Sequence, residues 1–135
     1  MVNSIDAGYN PSELTGHRTA VFCGALGGEA LDYGNFRHNR ELSGYSIISW
    51  SNFIIPGRIA FVLDFQGPSA HVSSGCSSGL TAIETAVNHI RLGTIDAAIV
   101  TGSNIMLNPR IHDSFTSMGV LAMDGHCKVF DESGR

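Results

Sequence analysis

Apolar residues at Leu80, Ile83, Val87 and Ile90 recur at spacings of 3, 4 and 3, which predicts one stripe of a helix over residues 77–92. Ala82 and Ala86 sit beside that stripe and allow close packing. Arg91 falls in the last turn, and Gly93 is placed to end the helix. Ahead of it, residues 69–74 follow the two-residue period of a strand, with Ala70 and Val72 on one face and His71 and Ser73 on the other. Behind it, residues 95–100 are almost continuously apolar, the pattern of a strand covered on both faces. Strand, helix and strand in that order predict a βαβ unit with a right-handed crossover.

The flanking patterns are shorter. A polar opening segment is punctuated by Gly8, Asn10-Pro11 and Gly16, the chemistry of turns. Residues 19–23 form a β-prone apolar run closed by Gly24. Residues 24–42 are Gly-rich and read as a surface loop with a helical piece. Beyond Gly44 the chain is strongly apolar; Ile47, Ile48, Trp50, Phe53 and Ile54 suit a buried helix ending near Pro56-Gly57. A further helical piece after Pro109 carries Ile111, Phe115 and Met118. A turn at Asp124-Gly125 then leads to a short apolar run through Phe130.

Composition narrows the class. A chain of 135 residues supports one domain with a real core. It is 43% hydrophobic and 15% charged with a formal charge of −4, which argues against disorder and, without any basic run, against nucleic-acid binding. No apolar run approaches the roughly 20 residues of a membrane span, and the first residues lack the basic and apolar regions of a secretory signal. Cys23, Cys76 and Cys127 are odd in number and show no CxxC or Cys/His spacing, so neither a disulfide framework nor a zinc site is expected. A reducing, cytoplasmic compartment fits. Low charge density together with 16 glycines predicts surface normally covered by more protein.

Candidate chemistry gathers at Cys76, within VSSGCSSGL, where the predicted strand gives way to the predicted helix. Small neighbours leave room for a sharp backbone bend and for an approaching acyl group. The positive end of a helix dipole favours a thiolate, and helix N–H groups can receive charge developing on a substrate oxygen. The bland alternative is a small buried cysteine at a helix start. Cys23 and Cys127 read as structural. A cysteine hydrolase of the α/β-hydrolase or glutaminase kind requires glycine two positions before and after the nucleophile, where Ser74 and Ser78 stand. Dinucleotide binding through GALGGE, from Gly24 to Glu29, is a weak alternative because the spacing is not GxGxxG.

The segment GPSAHVSSGCSSGLTAIETAVNHIRLGTIDAAIVTGSNIMLNP, followed by GVLAMDGHCKVFD, resembles the active-site region of β-ketoacyl synthases. The likeness is to ketosynthase domains of animal fatty acid synthases and type I polyketide synthases. AGYNPSELTGHRTAVFCGALGGEA and IPGRIAFVLDFQGPS resemble the preceding family segments, so nearly the whole chain is covered. The resemblance implies a thiolase-like α/β layered fold in partial form, residues 1–135 being a single N-terminal ketosynthase piece within a dimeric body. It implies that Cys76 takes an acyl chain as a thioester from phosphopantetheine on an acyl carrier protein, with no cofactor bound directly. Malonyl thioester would then be decarboxylated and condensed with it, in fatty acid biosynthesis or, alternatively, polyketide synthesis. A non-catalytic partner built on the same fold is a further alternative.

The chain departs from the family pattern at several positions. Ser73-Ser74-Gly75 replaces the usual Asp-Thr-Ala, Gly79 replaces a third serine, and Met123 stands where proline is common. No segment resembles the later motifs that supply the family's two active-site histidines. His71 and His89 are out of local reach of Cys76, and His112 and His126 read as solvated. By resemblance, residues 69–74 lie near a dimer interface and the 77–92 helix is buried in the complete domain. Phe115, Met118 and Val120 border either an acyl tunnel or ordinary core.

Overall fold

A computed structural model describes residues 5–25, 44–45, 48, 51–106 and 109–134. The Gly-rich loop expected at 24–42 lies almost entirely outside the described residues. So do Ile47 and Trp50.

Three parallel strands form a sheet: β1 (Thr19–Ala25), β2 (Ser69–Val72) and β3 (Ala97–Ser103), in the order β2-β1-β3. Val21 to Gly24 pair with Ser69 to Val72, and Thr19 to Ala25 pair with Ala97 to Ser103. The central strand β1 is buried along its whole length, as its unbroken apolar run requires. Its alternate residues build two cores. Ala20 and Phe22 meet Ala82, Ala86 and Ile95 on one face, with Ala70, Val72, Ala98 and Val100 packed against them. Val21 and Cys23 meet Ala60 and Phe65 on the other, with Leu14, Ile59, Leu63 and Ile99. The expected strand–helix–strand order is present, but β1 lies between the two strands that the helix connects.

Helix α1 (Ile54–Val62) corrects the expectation of a helix ending at Pro56. Pro56 is buried in the first turn, where a missing N–H costs no intrahelical bond, so it marks a start and not a stop. Helix α2 (Ser78–Arg91) runs where the periodicity places it, and Gly93 ends it in the left-handed conformation at φ +68°. The close packing expected at Ala82 and Ala86 is present. Ser78, Ala82 and Ala86 press on the sheet, while Leu80, Ile83, Val87 and Ile90 are 74, 49, 37 and 45% exposed. The reason is close approach: a Cβ on Gly24 of β1 would sit 2.6 Å from the Ser78 carbonyl carbon. Only small residues fit that contact.

Helix α3 (Pro109–Ser117) forms after Pro109, with Ile111 and Phe115 half-buried and Met118 exposed just beyond its end. The turn at Asp124-Gly125 is present, with Gly125 at φ +71° and its N–H bonded to Ala122 O at 3.0 Å. The apolar run expected to follow forms no strand, and Val129 and Phe130 are exposed. With only two bulky residues in a row, it has no face long enough to pair.

Candidate active site at the β2–α2 turn

β2 ends at Val72, α2 begins at Ser78, and the five intervening residues reverse the chain over the end of the sheet. Gly75 takes φ +66°, the left-handed region that glycine enters without steric penalty. The bend delivers Cys76 to the surface as an exposed free thiol, at the end of α2 where first-turn N–H groups carry partial positive charge. Within this chain Cys76 is exposed, where the bland reading has a small buried residue.

Hydroxyl groups hold the turn. Ser78 Oγ accepts the Ser74 N–H at 2.9 Å and donates to Gly75 O at 2.6 Å. Ser77 Oγ donates to Ser74 O at 2.7 Å and lies 3.1 Å from Ser74 Oγ. Ser74 Oγ is 2.9 Å from Thr81 Oγ1, which donates to Ser77 O at 3.2 Å. These bonds tie the residues on both sides of Cys76 to one another. In the sequence these serines read only as small neighbours of the thiol. The signal that identifies them was their placement on both sides of the thiol.

Cys23 is buried and its sulfur accepts the Thr101 hydroxyl at 2.9 Å, a structural role. Cys127 is exposed in the C-terminal segment. The His89 ring stacks on Phe22 at 5.6 Å between centroids, and its Nδ1 lies 2.9 Å from Thr94 Oγ1. His71 is half-buried on β2, in register with Cys23, and its Nε2 is buried without a partner among the described residues. His112 and His126 are exposed. An open concavity lined by His112 and residues 120–134 does not include Cys76. Among the described residues no group of three or more His, Cys, Asp or Glu is placed to hold a metal ion. No helix among them is long and apolar enough to cross a membrane.

Residues 5–135 match the family described as Beta-ketoacyl synthase, N-terminal domain. The chain is 42% identical over 130 residues to a fatty acid synthase of Anser anser anser, covering 96% of this chain and 37% of that protein. It is 39% identical over 124 residues to a type I polyketide synthase of phenolphthiocerol synthesis from Mycobacterium bovis, covering 92% of this chain and 6% of that protein. Among solved structures, the ketosynthase from module 6 of the bacillaene synthase of Bacillus subtilis is similar at TM-score 0.70 and 29% identity, over 93% of this chain and 20% of that one. An oxazolomycin ketosynthase domain of Streptomyces albus is similar at TM-score 0.76 and 30% identity, over 97% and 23%. The chain thus spans a minor part of each relative.

Proposed function

The chain belongs to the β-ketoacyl synthase family by its N-terminal domain, and from that premise we propose that Cys76 is the nucleophile of a condensing enzyme. The fold is a partial thiolase-like α/β fold, shared with ketosynthase domains. The observation that carries the reading is the exposed Cys76 thiol on a tight strand-to-helix turn, held by serine hydroxyls at the positive end of α2.

In the proposed reaction, Cys76 Sγ attacks the carbonyl carbon of an acyl thioester presented on the phosphopantetheine of an acyl carrier protein. The new S–C bond forms, the donor C–S bond breaks, and the donor leaves as a thiol with the proton that Cys76 gives up. A malonyl thioester then loses carbon dioxide, and its carbanion attacks the acyl carbon. Cys76 departs as thiolate and regains a proton, leaving a 3-oxoacyl chain two carbons longer on the carrier. N–H groups of the first turn of α2 suit the oxyanion of the first step.

Residues 1–135 would be one N-terminal piece of the ketosynthase body, which works as a homodimer in the cytoplasm. His89 is committed to Phe22 and Thr94. The two histidines that assist decarboxylation in this family would therefore come from elsewhere in the complete synthase. β2 would lie near the dimer interface, and the outward stripe of α2 would be covered by the rest of that body. Fatty acid elongation is the favoured product class because identity to the goose fatty acid synthase is 42%; polyketide elongation is the second reading, favoured by the 39% identity to the mycobacterial synthase.

Incubating the complete synthase with an acyl thioester is expected to add one acyl mass to the peptide containing Cys76. Cys76→Ala is expected to abolish both the adduct and condensation, a loss of at least about 10³-fold for removal of a nucleophile. Undiminished condensation by Cys76→Ala overturns the proposal.

A further inference from the structure

Two hydroxyls that follow Cys76 in sequence reach back past it to the chain that precedes it. Ser78 Oγ bonds both Ser74 N and Gly75 O, at 2.9 and 2.6 Å, and Ser77 Oγ bonds Ser74 O at 2.7 Å. The thiol is therefore carried on a loop closed from both sides. Ser78 is 4% exposed, and its backbone is pinned against β1, where even a Cβ on Gly24 finds no room.

Ser77 occupies the N-cap position of α2 yet makes no capping bond to that helix. A serine there ordinarily accepts a first-turn N–H and stabilises the helix by about 1 kcal/mol. Here its hydroxyl is turned to Ser74 instead, which leaves the first turn of α2 without a side-chain cap. The Ser78 N–H is also turned back, to Gly75 O at 3.2 Å, so side-chain and backbone donors alike close the bend.

We infer that Ser77 and Ser78 are positioning residues for acyl transfer onto Cys76: bonding backward, they hold the turn that aims the thiol. The inference rests on the reading that Cys76 carries the acyl group. Neither serine touches the reacting atoms. Their effect is on the rate at which a bound donor reacts, not on how tightly it binds.

The test uses the complete synthase and an acetyl-pantetheine thioester, with acylation rates expressed per thiol titrated by iodoacetamide. Ser78→Ala is expected to slow acylation about tenfold at saturating donor, with half-saturation unchanged within about twofold. Ser78→Thr, which keeps the hydroxyl, is expected to recover most of the rate, and its isostere Ser78→Val none of it. Ser77→Ala, at an exposed position, is expected to slow acylation about threefold, and it decides the matter if the Ser78 variants do not fold. Wild-type rates in Ser78→Ala and Ser77→Ala, or equal rates in the Thr and Val variants, overturn the inference. A wild-type protein that takes no acyl group at Cys76 refutes the condensing reading instead. The inference then stands or falls on the alkylation rate of Cys76, and variants within about twofold of wild type in that rate overturn it.

Discussion

At the scale of single residues, the site depends on what small side chains permit. Gly75 at φ +66° allows the bend, and the hydroxyls of Ser77 and Ser78 tie it to Ser74 and Gly75. The cysteine and its small neighbours were legible in the sequence, because a nucleophile on a tight turn demands them. The direction of each hydroxyl was not, since a serine side chain bonds forward as a cap or backward to the turn with similar ease. Away from the site, Arg18 holds Asp96 through two contacts at 2.6 and 3.1 Å, tying the start of β1 to the approach to β3. The hydrogen bond from Arg18 holds the Asp96 carboxyl below its usual range. A depressed carboxyl contributes stability above its unfolded value of about pH 4 and loses it as pH falls through the folded value. Asp96→Asn is therefore expected to lower the melting temperature slightly at neutral pH, with the difference from wild type vanishing once acid has protonated the Asp96 carboxyl. A difference that persists undiminished in acid contradicts this.

At the scale of elements, the helix–sheet contact sets the register of the site. Periodicity located α2 to within a residue at each end but left open which of its faces meets the sheet. A hydrophobic stripe marks which residues avoid water, and it does not say which partner arrives first. The sheet takes the Ser78, Ala82 and Ala86 face because Gly24 lets the helix start lie against β1. Gly24→Ala places a Cβ 2.6–2.7 Å from Ser78 and Gly79 backbone atoms. It is expected to destabilise the protein by about 1–3 kcal/mol through overpacking, read as a lower denaturation midpoint, and to slow acylation of Cys76 by displacing the helix start. An unchanged midpoint would mean that the contact is looser than described. Pro56 shows the same limit in α1: a proline punctuates a helix at either end, and only the helix that runs on from it to Val62, with Ala60 packed on Val21 and Cys23, shows that it opens this one.

At the scale of the whole molecule, large apolar side chains face outward on both helices. Phe61 and Val62 of α1 are 87 and 75% exposed, and Leu80 of α2 is 74% exposed. A sheet covered on both faces by helices that themselves present greasy outer surfaces has the outside expected of one layer set within a thicker body. The 135-residue chain expressed alone is expected to self-associate, with sedimentation showing species above the monomer, and Leu80→Asn with Ile83→Asn is expected to reduce that association. A monomeric, cooperatively unfolding isolated chain would contradict it.

Local chemistry was determined by the order of residues alone: the place of the thiol between a strand and a helix, the glycine that ends α2, and the β-prone apolar run that forms β1. Each depends on interactions within a few residues or on a periodicity that any partner satisfies. The tertiary structure decided which face of α2 meets the sheet, which end of a helix Pro56 marks, and that β1 separates β2 from β3. Those choices are settled by how closely two distant backbones approach, as Gly24 and Ser78 do, and no window of sequence contains both sides of such a contact.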